Sequence, residues 1–230
     1  MLDLSIVVPV YNEIENIPPL CEELAAVLSR LNRTYEVILI DDGSTDDSWE
    51  ALRREAAARQ RFRLIRLRRN FGQTAAISAG FKSARGAIVV TLDADLQNDP
   101  ADTPLLLEQV DDGWDVVSGW RRNRRDPWLN RRLPSIVANW FISRITGVAL
   151  HDYGCTLKAY RREIVRNLSL YGEMHRFIPA LASWVGGSIR EIPVNHRPRR
   201  HGTSKYGISR TLRVILDLMT VKFLLRYSMG

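Results

Sequence analysis

The order of apolar and polar positions predicts alternating strands and helices in the first half of the chain. Short apolar runs predict strands at residues 4–9, 35–40, 62–67, 87–92 and 114–118. Between them, apolar residues recur every three or four positions and predict helices at 15–31, from Thr45 or Asp46 to 59, at 73–84 and at 104–110. Alternation at this scale is typical of an α/β fold with a doubly wound, mostly parallel central sheet flanked by helices.

After Gly119 the pattern becomes less regular. Residues 120–132 are rich in arginine, and residues 195–206 form a basic loop that contains Gly202. The periodicity predicts helices at 135–146, 175–185 and 208–226, with strands at 155–160 and 188–194. The chain contains no internal repeat or clear linker. We therefore expect one compact domain over residues 1–206, followed by an amphipathic helix over residues 207–230.

Composition narrows the class of protein. The 230 residues are 45% hydrophobic and 26% charged, which excludes wholesale disorder. Lys and Arg (33) exceed Asp and Glu (26), and the net charge of +7 suggests an anionic partner. The two cysteines have no metal-ligand spacing, which favours a reducing compartment. Charged residues interrupt every stretch of about 18 residues, so we expect no membrane span, and no secretory signal opens the chain.

Acidic residues follow the predicted strands where an open α/β sheet binds its ligands. Asp41 and Asp42 end the second strand, and Asp93 and Asp95 follow the fourth. Helix capping accounts for acidic residues such as Asp46 or Asp102. It does not suit Asp93 and Asp95, because side chains two positions apart in extended backbone face the same side and two such carboxylates repel. A hard divalent cation held by these carboxylates and by substrate phosphates resolves that conflict.

Other chemistries have less support in the sequence. There is neither a G-x-x-x-x-G-K-[ST] loop nor a G-x-G-x-x-G after the first strand, so phosphates must be met by metal and basic side chains. Cys155 has no catalytic motif around it and is interpreted as a small buried hydrophobe. No two of the four histidines have helical metal-ligand spacing.

Serial motifs give the chain a resemblance to a known family. The segments 9–13 (PVYNE), 41–44 (DDGS), 93–97 (DADLQ), 152–162 (DYGCTLKAYRR) and 202–206 (GTSKY) resemble the motifs of family 2 glycosyltransferases. The similarity is greatest to the branch that acts on polyprenyl phosphates, and it extends over essentially the whole chain. It implies a GT-A fold with a nucleotide-sugar-binding half at 1–119 and an acceptor half at 120–206.

The resemblance also implies roles for individual residues. It implies nucleotide-sugar contacts for Pro9, Tyr11, Glu13, Asp41, Asp42, Asp93, Arg200 and Lys205. It implies that Mg²⁺ or Mn²⁺ is held by Asp93, Asp95 and Gln97. It implies that the acceptor phosphate is met by Arg121, Arg131, Ser135 and Ser204. Asp95, Arg121 and Asp152 are the expected catalytic residues, Asp152 either as a base or to orient the sugar hydroxyls.

The implied reaction transfers a sugar, with inversion, from a nucleoside diphosphate sugar to a polyprenyl phosphate. A UDP-sugar of the glucose or aminoarabinose type is favoured over GDP-mannose. The implied location is the cytoplasmic face of an anionic membrane, reached through the amphipathic helices at 135–146 and 208–226. Packing of those helices into the protein core is the alternative explanation of the same pattern.

Several alternatives stay open at the level of sequence. The acceptor is a soluble compound or a polysaccharide in one of them, and the protein is a non-catalytic nucleotide-sugar sensor in another. The net charge also prompts nucleic-acid binding, but no nucleic-acid-binding motif is present, and the strand-end carboxylates would repel a phosphate backbone. Association with a second copy through the C-terminal helix, and continuation of the natural chain into membrane spans, are both left open.

Overall fold

Strands and helices alternate through the first half of the protein in the predicted order. A computed structural model describes residues 2–122, 133–166, 168–199, 217–220 and 223, with backbone alone for 133–138. The strands are β1 (Leu2–Val10), β2 (Tyr35–Asp41), β3 (Phe62–Arg66), β4 (Gly86–Thr91), β5 (Val116–Trp120), β6 (Lys158–Arg161) and β7 (Ile189–Pro193). The helices are α1 (Ile17–Leu28), α2 (Ser48–Ala57), α3 (Gln73–Ser83), α4 (Thr103–Asp111), α5 (Leu133–Thr146), α6 (Arg162–Arg166) and α7 (Ile178–Trp184). A 3₁₀ turn at Met174–Phe177 precedes α7.

All of these strands belong to one seven-stranded sheet in the order β3-β2-β1-β4-β6-β5-β7. The sheet is parallel except for β6, which is antiparallel to both of its neighbours, β4 and β5. The predicted mostly parallel α/β sheet is therefore confirmed. The strand predicted at 155–160 begins later, at Lys158, because residues 151–157 form turns and irregular backbone that leads into the strand.

The alternation of side chains along each strand builds a separate core on each face of the sheet. On β1, Leu4, Ile6 and Val8 pack in the core that also contains the apolar side chains of α1, α2 and α4. Val7 faces the opposite core, where α3, α6 and α7 pack. This period of two is what a strand buried on both faces requires, and it produces three layers, helix–sheet–helix.

One helix lies unusually close to the sheet. A methyl group on Gly80 of α3 would lie 2.3 Å from Cγ1 of Val7 on β1, well inside van der Waals contact. Glycine at this position therefore allows the close approach. Because α3 begins at Gln73, this packing also fixes the N-terminal turn of α3 beside the end of β4.

Two of the acidic residues assigned to helix capping differ in what they do. Asp46 Oδ1 accepts a hydrogen bond from the backbone N–H of Ser48, the first residue of α2 (3.0 Å), as expected of a residue that caps a helix. Asp102 precedes α4, but its carboxylate accepts the backbone N–H of Asn195 instead (2.6 Å). The capping interpretation of Asp102 is therefore wrong, because its side chain anchors the segment after β7.

The predicted C-terminal helix lies mostly outside the described residues. Residues 217–220 are helical, and Leu218 packs with Ile142 of α5 in a third apolar cluster. Within the described part of the chain, no helix has the length and apolar character needed to cross a membrane.

Candidate active site

The ends of β1 and β2 are joined to each other and form one wall of a cleft. The backbone N–H of Asn12 donates to Oγ of Ser44 (3.0 Å), and the backbone N–H of Thr45 donates to Oδ1 of Asn12 (2.8 Å). The cleft has a volume of about 630 Å³ and is lined by Tyr11, Gly43, Ser44, Thr45 and residues 66–70. Its size and its aromatic and polar lining are suitable for a nucleoside.

The adjacent carboxylates of Asp41 and Asp42 fix the backbone around this cleft through hydrogen bonds. Asp41 accepts the backbone N–H of Ser44 (3.0 Å), and its other oxygen is 3.3 Å from Nε of Arg66 without hydrogen-bond alignment. Asp42 accepts the N–H groups of Phe71 (2.8 Å) and Gly72 (2.9 Å), at the start of α3. Burial raises the pKa of Asp42, and these two N–H groups oppose the shift. Both carboxylates thus organise the walls of the cleft, and their predicted contacts with a nucleotide stay predictions.

Three further residues predicted to contact the nucleotide lie at the same edge of the sheet. Pro9 is half-buried near the end of β1, and Tyr11 and Glu13 follow it. Glu13 accepts a hydrogen bond from Nδ2 of Asn16 (2.6 Å), and its charge acts on Asp95. The structure therefore brings the residues of the first, second and fourth strand ends together, as the parallel arrangement predicted.

The predicted metal ligands occupy a turn directly after β4. Asp93 accepts a hydrogen bond of 2.6 Å from Nε2 of Gln73, the first residue of α3. Asp95 accepts a hydrogen bond of 3.1 Å from the backbone N–H of Gln97. The intervening Leu96 is buried and has a φ of 60°, a left-handed conformation that costs a non-glycine residue about 1–2 kcal/mol. The turn is therefore held in a defined, strained shape by burial of Leu96 and by hydrogen bonds.

The chemistry of this turn fits a hard divalent cation. Burial, and next the charge of Asp93, raise the pKa of Asp95 to about 6, so the two carboxylates are mutually unfavourable without a cation. Their oxygens, with the amide oxygen of Gln97, are the ligand types that Mg²⁺ and Mn²⁺ accept. No cluster of three or more His, Cys, Asp or Glu side chains suited to a metal occurs among the described residues. A cation here would therefore depend on substrate phosphates for its remaining ligands.

A basic side chain that the sequence reasoning missed already contacts this turn. Nη2 of Arg199 is 2.8 Å from Oδ2 of Asp95 and 3.4 Å from Oε1 of Gln97. The segment that carries it is fixed by an ion pair between Arg197 and Asp99 (2.7 Å) and by a bridge between Asn98 and His196. The sequence pattern favoured the neighbouring Arg200, which lies outside the described residues, and nothing in a basic run indicates that Arg199 contacts Asp95.

Arg121 and Asp152 form a largely buried ion pair with two hydrogen bonds, just after the end of β5. Nε of Arg121 is 2.7 Å and Nη2 is 2.9 Å from the two carboxylate oxygens of Asp152. Burial lowers the pKa of Arg121, but the charge and hydrogen bonds of Asp152 outweigh it and raise that pKa above its ordinary value. The two predicted residues are therefore in direct contact, and the carboxylate of Asp152 fixes the position of the guanidinium of Arg121.

Asp152 is in turn held by a residue that the sequence reasoning missed. Glu191 on β7 accepts the backbone N–H of Asp152 (3.0 Å) with one oxygen, and the N–H and Nδ1 of His151 (3.0 and 2.7 Å) with the other. The ring of His151 stacks on Trp120, with ring centroids 4.3 Å apart. The sequence does not indicate that Glu191 holds Asp152, because Glu191 is a single charged residue in a predicted strand and its partners are 39 and 40 residues away.

Two further cations lie beside this ion pair, Lys158 and Arg176. Lys158 is fully buried on β6 and donates to the carbonyl oxygens of Tyr153 (3.2 Å) and Cys155. Cys155 itself is buried, as predicted. Arg176 lies in the 3₁₀ turn, where the sequence pattern had predicted the beginning of a helix.

Several predicted site residues lie outside the described part of the chain. These are Arg131, Arg200, Ser204 and Lys205, together with the side chain of Ser135. Their assignments stay predictions.

Comparison with known proteins identifies what the site resembles. A family model described as glycosyl transferase family 2 matches residues 5–169. The chain is 50% identical over 237 aligned positions to dodecaprenyl-phosphate galacturonate synthase of Rhizobium johnstonii, covering 99% of the chain and 68% of that protein. It is 46% identical over 219 positions to undecaprenyl-phosphate 4-deoxy-4-formamido-L-arabinose transferase of Aeromonas hydrophila, covering 94% and 67%. The chain thus spans about two thirds of the length of these relatives.

A solved structure supports the same fold. Glucosyl-3-phosphoglycerate synthase from Mycobacterium tuberculosis, in complex with Mn²⁺, UDP and glucosyl-3-phosphoglycerate, superimposes with a TM-score of 0.72 at 18% identity. The superposition covers 100% of this chain and 81% of that one. At this level of identity the likeness establishes the GT-A architecture expected from the sequence.

Proposed function

The chain belongs to glycosyl transferase family 2, and we propose that it transfers a sugar from a nucleoside diphosphate sugar to a polyprenyl phosphate. The observation that carries the proposal is 50% identity, over nearly the whole chain, to a relative whose name states sugar transfer to such a lipid. The second relative named above acts on a lipid phosphate of the same kind. The site supports the proposal, because a nucleoside-sized cleft, paired carboxylates and partly buried guanidinium groups lie along a single sheet edge.

We propose that the donor is linked to UDP and that its sugar is a galacturonate or an aminoarabinose derivative. The base and ribose would lie in the cleft beside Tyr11, with Asp41 and Asp42 holding its walls. A divalent cation at Asp93 and Asp95 would stabilise the charge that develops on the leaving diphosphate. Arg199 has to release Asp95 for that, and its guanidinium is then free to neutralise a phosphate oxygen.

The acceptor needs little activation by the protein. A phosphate monoester has a second pKa near 6, so it is largely dianionic at pH 7 and can attack the anomeric carbon directly. One phosphate oxygen forms the new bond to that carbon while the bond to the diphosphate breaks, which inverts the configuration. Asp152 is bonded through both oxygens to Arg121, so its role in the proposal is to hold a cation for the acceptor and not to remove a proton.

We also propose that α5 and the C-terminal helix meet an anionic membrane surface, where the lipid acceptor resides. Trp140 and Phe141 of α5 are 65% and 49% exposed, and Met219 and Phe223 are 64% and 61% exposed. The opposite sides of the same helices pack into the protein, so these apolar side chains are not needed for the core. Exposed aromatic side chains beside basic residues are typical of interfacial helices. The cytoplasmic side of that membrane stays a prediction.

A transfer assay tests the proposed reaction. The protein is incubated with Mn²⁺, undecaprenyl phosphate in detergent and, separately, UDP-galacturonate, UDP-4-formamido-arabinose and UDP-glucose, and the extracted lipid is analysed by mass spectrometry. We expect one of the first two donors to yield a lipid-linked sugar, and Asp95→Asn to abolish the product. Transfer to a soluble saccharide with no lipid product would contradict the proposal.

A further inference from the structure

The helix α5 faces the protein with polar as well as apolar side chains. Asn139, Ser143 and Thr146 recur at intervals of four and three positions, so they lie on one face of the helix. On the same face, Ile142 is buried in the third apolar cluster. Asn139 is only 8% exposed. Asparagine is a poor helix former and a buried amide has to be hydrogen-bonded, so a partner inside the protein has to compensate for its place in α5.

Polar side chains of this face bond to the loop that follows the helix, residues 148–153. Oγ of Ser143 lies 3.4 Å from both the backbone nitrogen and the carbonyl oxygen of Leu150. A shorter contact is the hydrogen bond of 2.6 Å from Nδ2 of Asn139 to the carbonyl oxygen of His151. The helix is therefore attached to this loop by side chains and not only by the chain connection.

The peptide group between His151 and Asp152 is held from both sides. Its carbonyl oxygen accepts the hydrogen bond from Asn139, and its N–H donates to Oε1 of Glu191 on β7 (3.0 Å). Because a trans peptide group is planar and its two polar groups point in opposite directions, these two bonds restrict its rotation. The Cα–Cβ direction of Asp152 is fixed with it, and so is the carboxylate that bonds to Arg121.

The other side of α5 faces outward. Trp140 and Phe141 directly follow Asn139, are exposed, and belong to the surface proposed to meet the membrane. An α-helix with its side chains is about 10 Å across. About one helix width therefore separates the face proposed to meet the membrane from the peptide group that sets the position of Asp152.

We propose that Asn139 is a positioning residue for the lipid acceptor. It fastens α5 to the peptide group before Asp152 and thereby holds the guanidinium of Arg121 at a fixed distance from the membrane-facing side of α5. The inference deepens the proposed function and rests on it. A polyprenyl phosphate keeps its charged phosphate at the bilayer surface, because burying a charge among apolar chains is costly. A cation that meets this phosphate has to lie at a matching depth.

Steady-state kinetics of the full chain separates positioning of the acceptor from a general loss of stability. Asn139→Leu retains nearly the same side-chain volume but has no donor, so the carbonyl oxygen of His151 loses this bond. We expect the KM for undecaprenyl phosphate in anionic vesicles to rise about fivefold or more. The kcat and the KM for the UDP-sugar that gives product in the transfer assay should change less than about twofold. Asn139→Gln retains the amide and should recover part of the loss.

A substitution at the opposite end of β5 is the matched control. Oγ of Ser188 donates to Oδ2 of Asp115 (2.8 Å), the residue before β5, so Ser188→Ala also removes a partly buried side-chain hydrogen bond. It should leave kcat and both KM values within about twofold of the wild type. Neither substitution should change co-sedimentation with anionic vesicles, since Trp140 and Phe141 are retained.

Hydrogen exchange of the protein alone tests the geometry without requiring turnover. The N–H groups of His151 and Asp152 both donate to Glu191, so their exchange rates report how firmly the backbone before the ion pair is held. We expect both amides to exchange about tenfold faster or more in Asn139→Leu, and at the wild-type rate in Ser188→Ala. If the leucine variant does not fold, Asn139→Ser tests the same contrast, because its hydroxyl ends one bond short of the amide nitrogen.

Unchanged exchange at these two amides, or equal increases in the KM for donor and acceptor, would overturn the inference. A higher KM for the acceptor together with weaker co-sedimentation would assign the effect to lost membrane contact and would also overturn it. A wild-type protein that forms no lipid-linked sugar, while its exchange still depends on Asn139, would contradict the proposed acceptor and support the positioning of Asp152. The two failures can therefore be told apart.

Discussion

The ion pair between Arg121 and Asp152 offers the sharpest test of how the proposed acceptor site is held together. Asp152→Asn removes the negative charge but retains the size of the side chain. The pair is almost fully buried, with side-chain exposures of 16% and 4%, and it has two charge-assisted hydrogen bonds of 2.7 and 2.9 Å. Removing one partner of such a pair leaves a buried, uncompensated cation. We therefore expect the free energy of unfolding to fall by about 3–5 kcal/mol.

A double-mutant cycle separates this coupling from other effects of the substitution. The free energies of unfolding of Asp152→Asn, Arg121→Gln and the double variant are measured by urea denaturation at pH 7. Because the double variant has no unpaired charge, its loss should be well below the sum of the single losses, with a coupling of about 2–4 kcal/mol. A coupling below about 0.5 kcal/mol would refute the reasoning, since the pair would then be no stronger than an exposed one.

The same variants distinguish two roles of Asp152 in transfer. If Asp152 holds Arg121, the two single variants should raise the KM for the lipid acceptor to a similar degree, and the double variant should be little worse. If Asp152 were a proton acceptor, Asp152→Asn would lower kcat much further than Arg121→Gln would. It would also abolish the increase of rate with pH that deprotonation of a catalytic base produces.

Three further results are expected from the geometry. Arg199→Gln removes the cation that would compete with a metal ion for the carboxylate of Asp95, so Mn²⁺ without nucleotide should bind about tenfold more tightly by electron paramagnetic resonance; weaker or unchanged binding would contradict that competition. Gly80→Ala forces a methyl group against Val7 and should cost about 1–3 kcal/mol in urea denaturation, whereas no loss would mean that α3 can move away from the sheet. Replacing both Trp140 and Phe141 by serine should reduce co-sedimentation with anionic vesicles at least tenfold without lowering the unfolding midpoint, and undiminished binding would exclude this face of α5 from the interface.

The sequence predicted the order of elements well because buried strands and amphipathic helices have clear periodicities. It did not predict that β6 runs antiparallel between β4 and β5. The apolar pattern of a four-residue buried strand is the same whether the strand is parallel or antiparallel to its neighbours. The pattern also placed β5 at 114–118, two residues early, because Trp114 is apolar but precedes the ladder. The direction of a strand and its exact first and last residues depend on which other strands it pairs with in the folded protein.

Site residues were predictable where a motif ends a strand and unpredictable elsewhere. Asp93 and Asp95 were found because two carboxylates at that spacing are unfavourable without a partner. Arg176 and Glu191 look like ordinary surface charges in a helix and a strand, and only the fold brings them to Asp152. The contact between Arg199 and Asp95 was not predicted for a related reason, since nothing in a basic run of residues indicates which side chain reaches a particular carboxylate.

The antiparallel strand β6 limits how the ends of β4 and β5 can move relative to each other. It is hydrogen-bonded along one edge to β4, whose end carries the predicted metal ligands, and along the other to β5, whose end carries Arg121. The two strand ends are therefore two ladder spacings apart, about 10 Å. Because that separation cannot change without breaking the sheet, a hinge motion that moves β5 relative to β4 is excluded as a way to grip substrates. Adaptation to sugars or lipids of different size must come from side chains and from the segments that follow the strands, while the distance between the two strand ends stays constant.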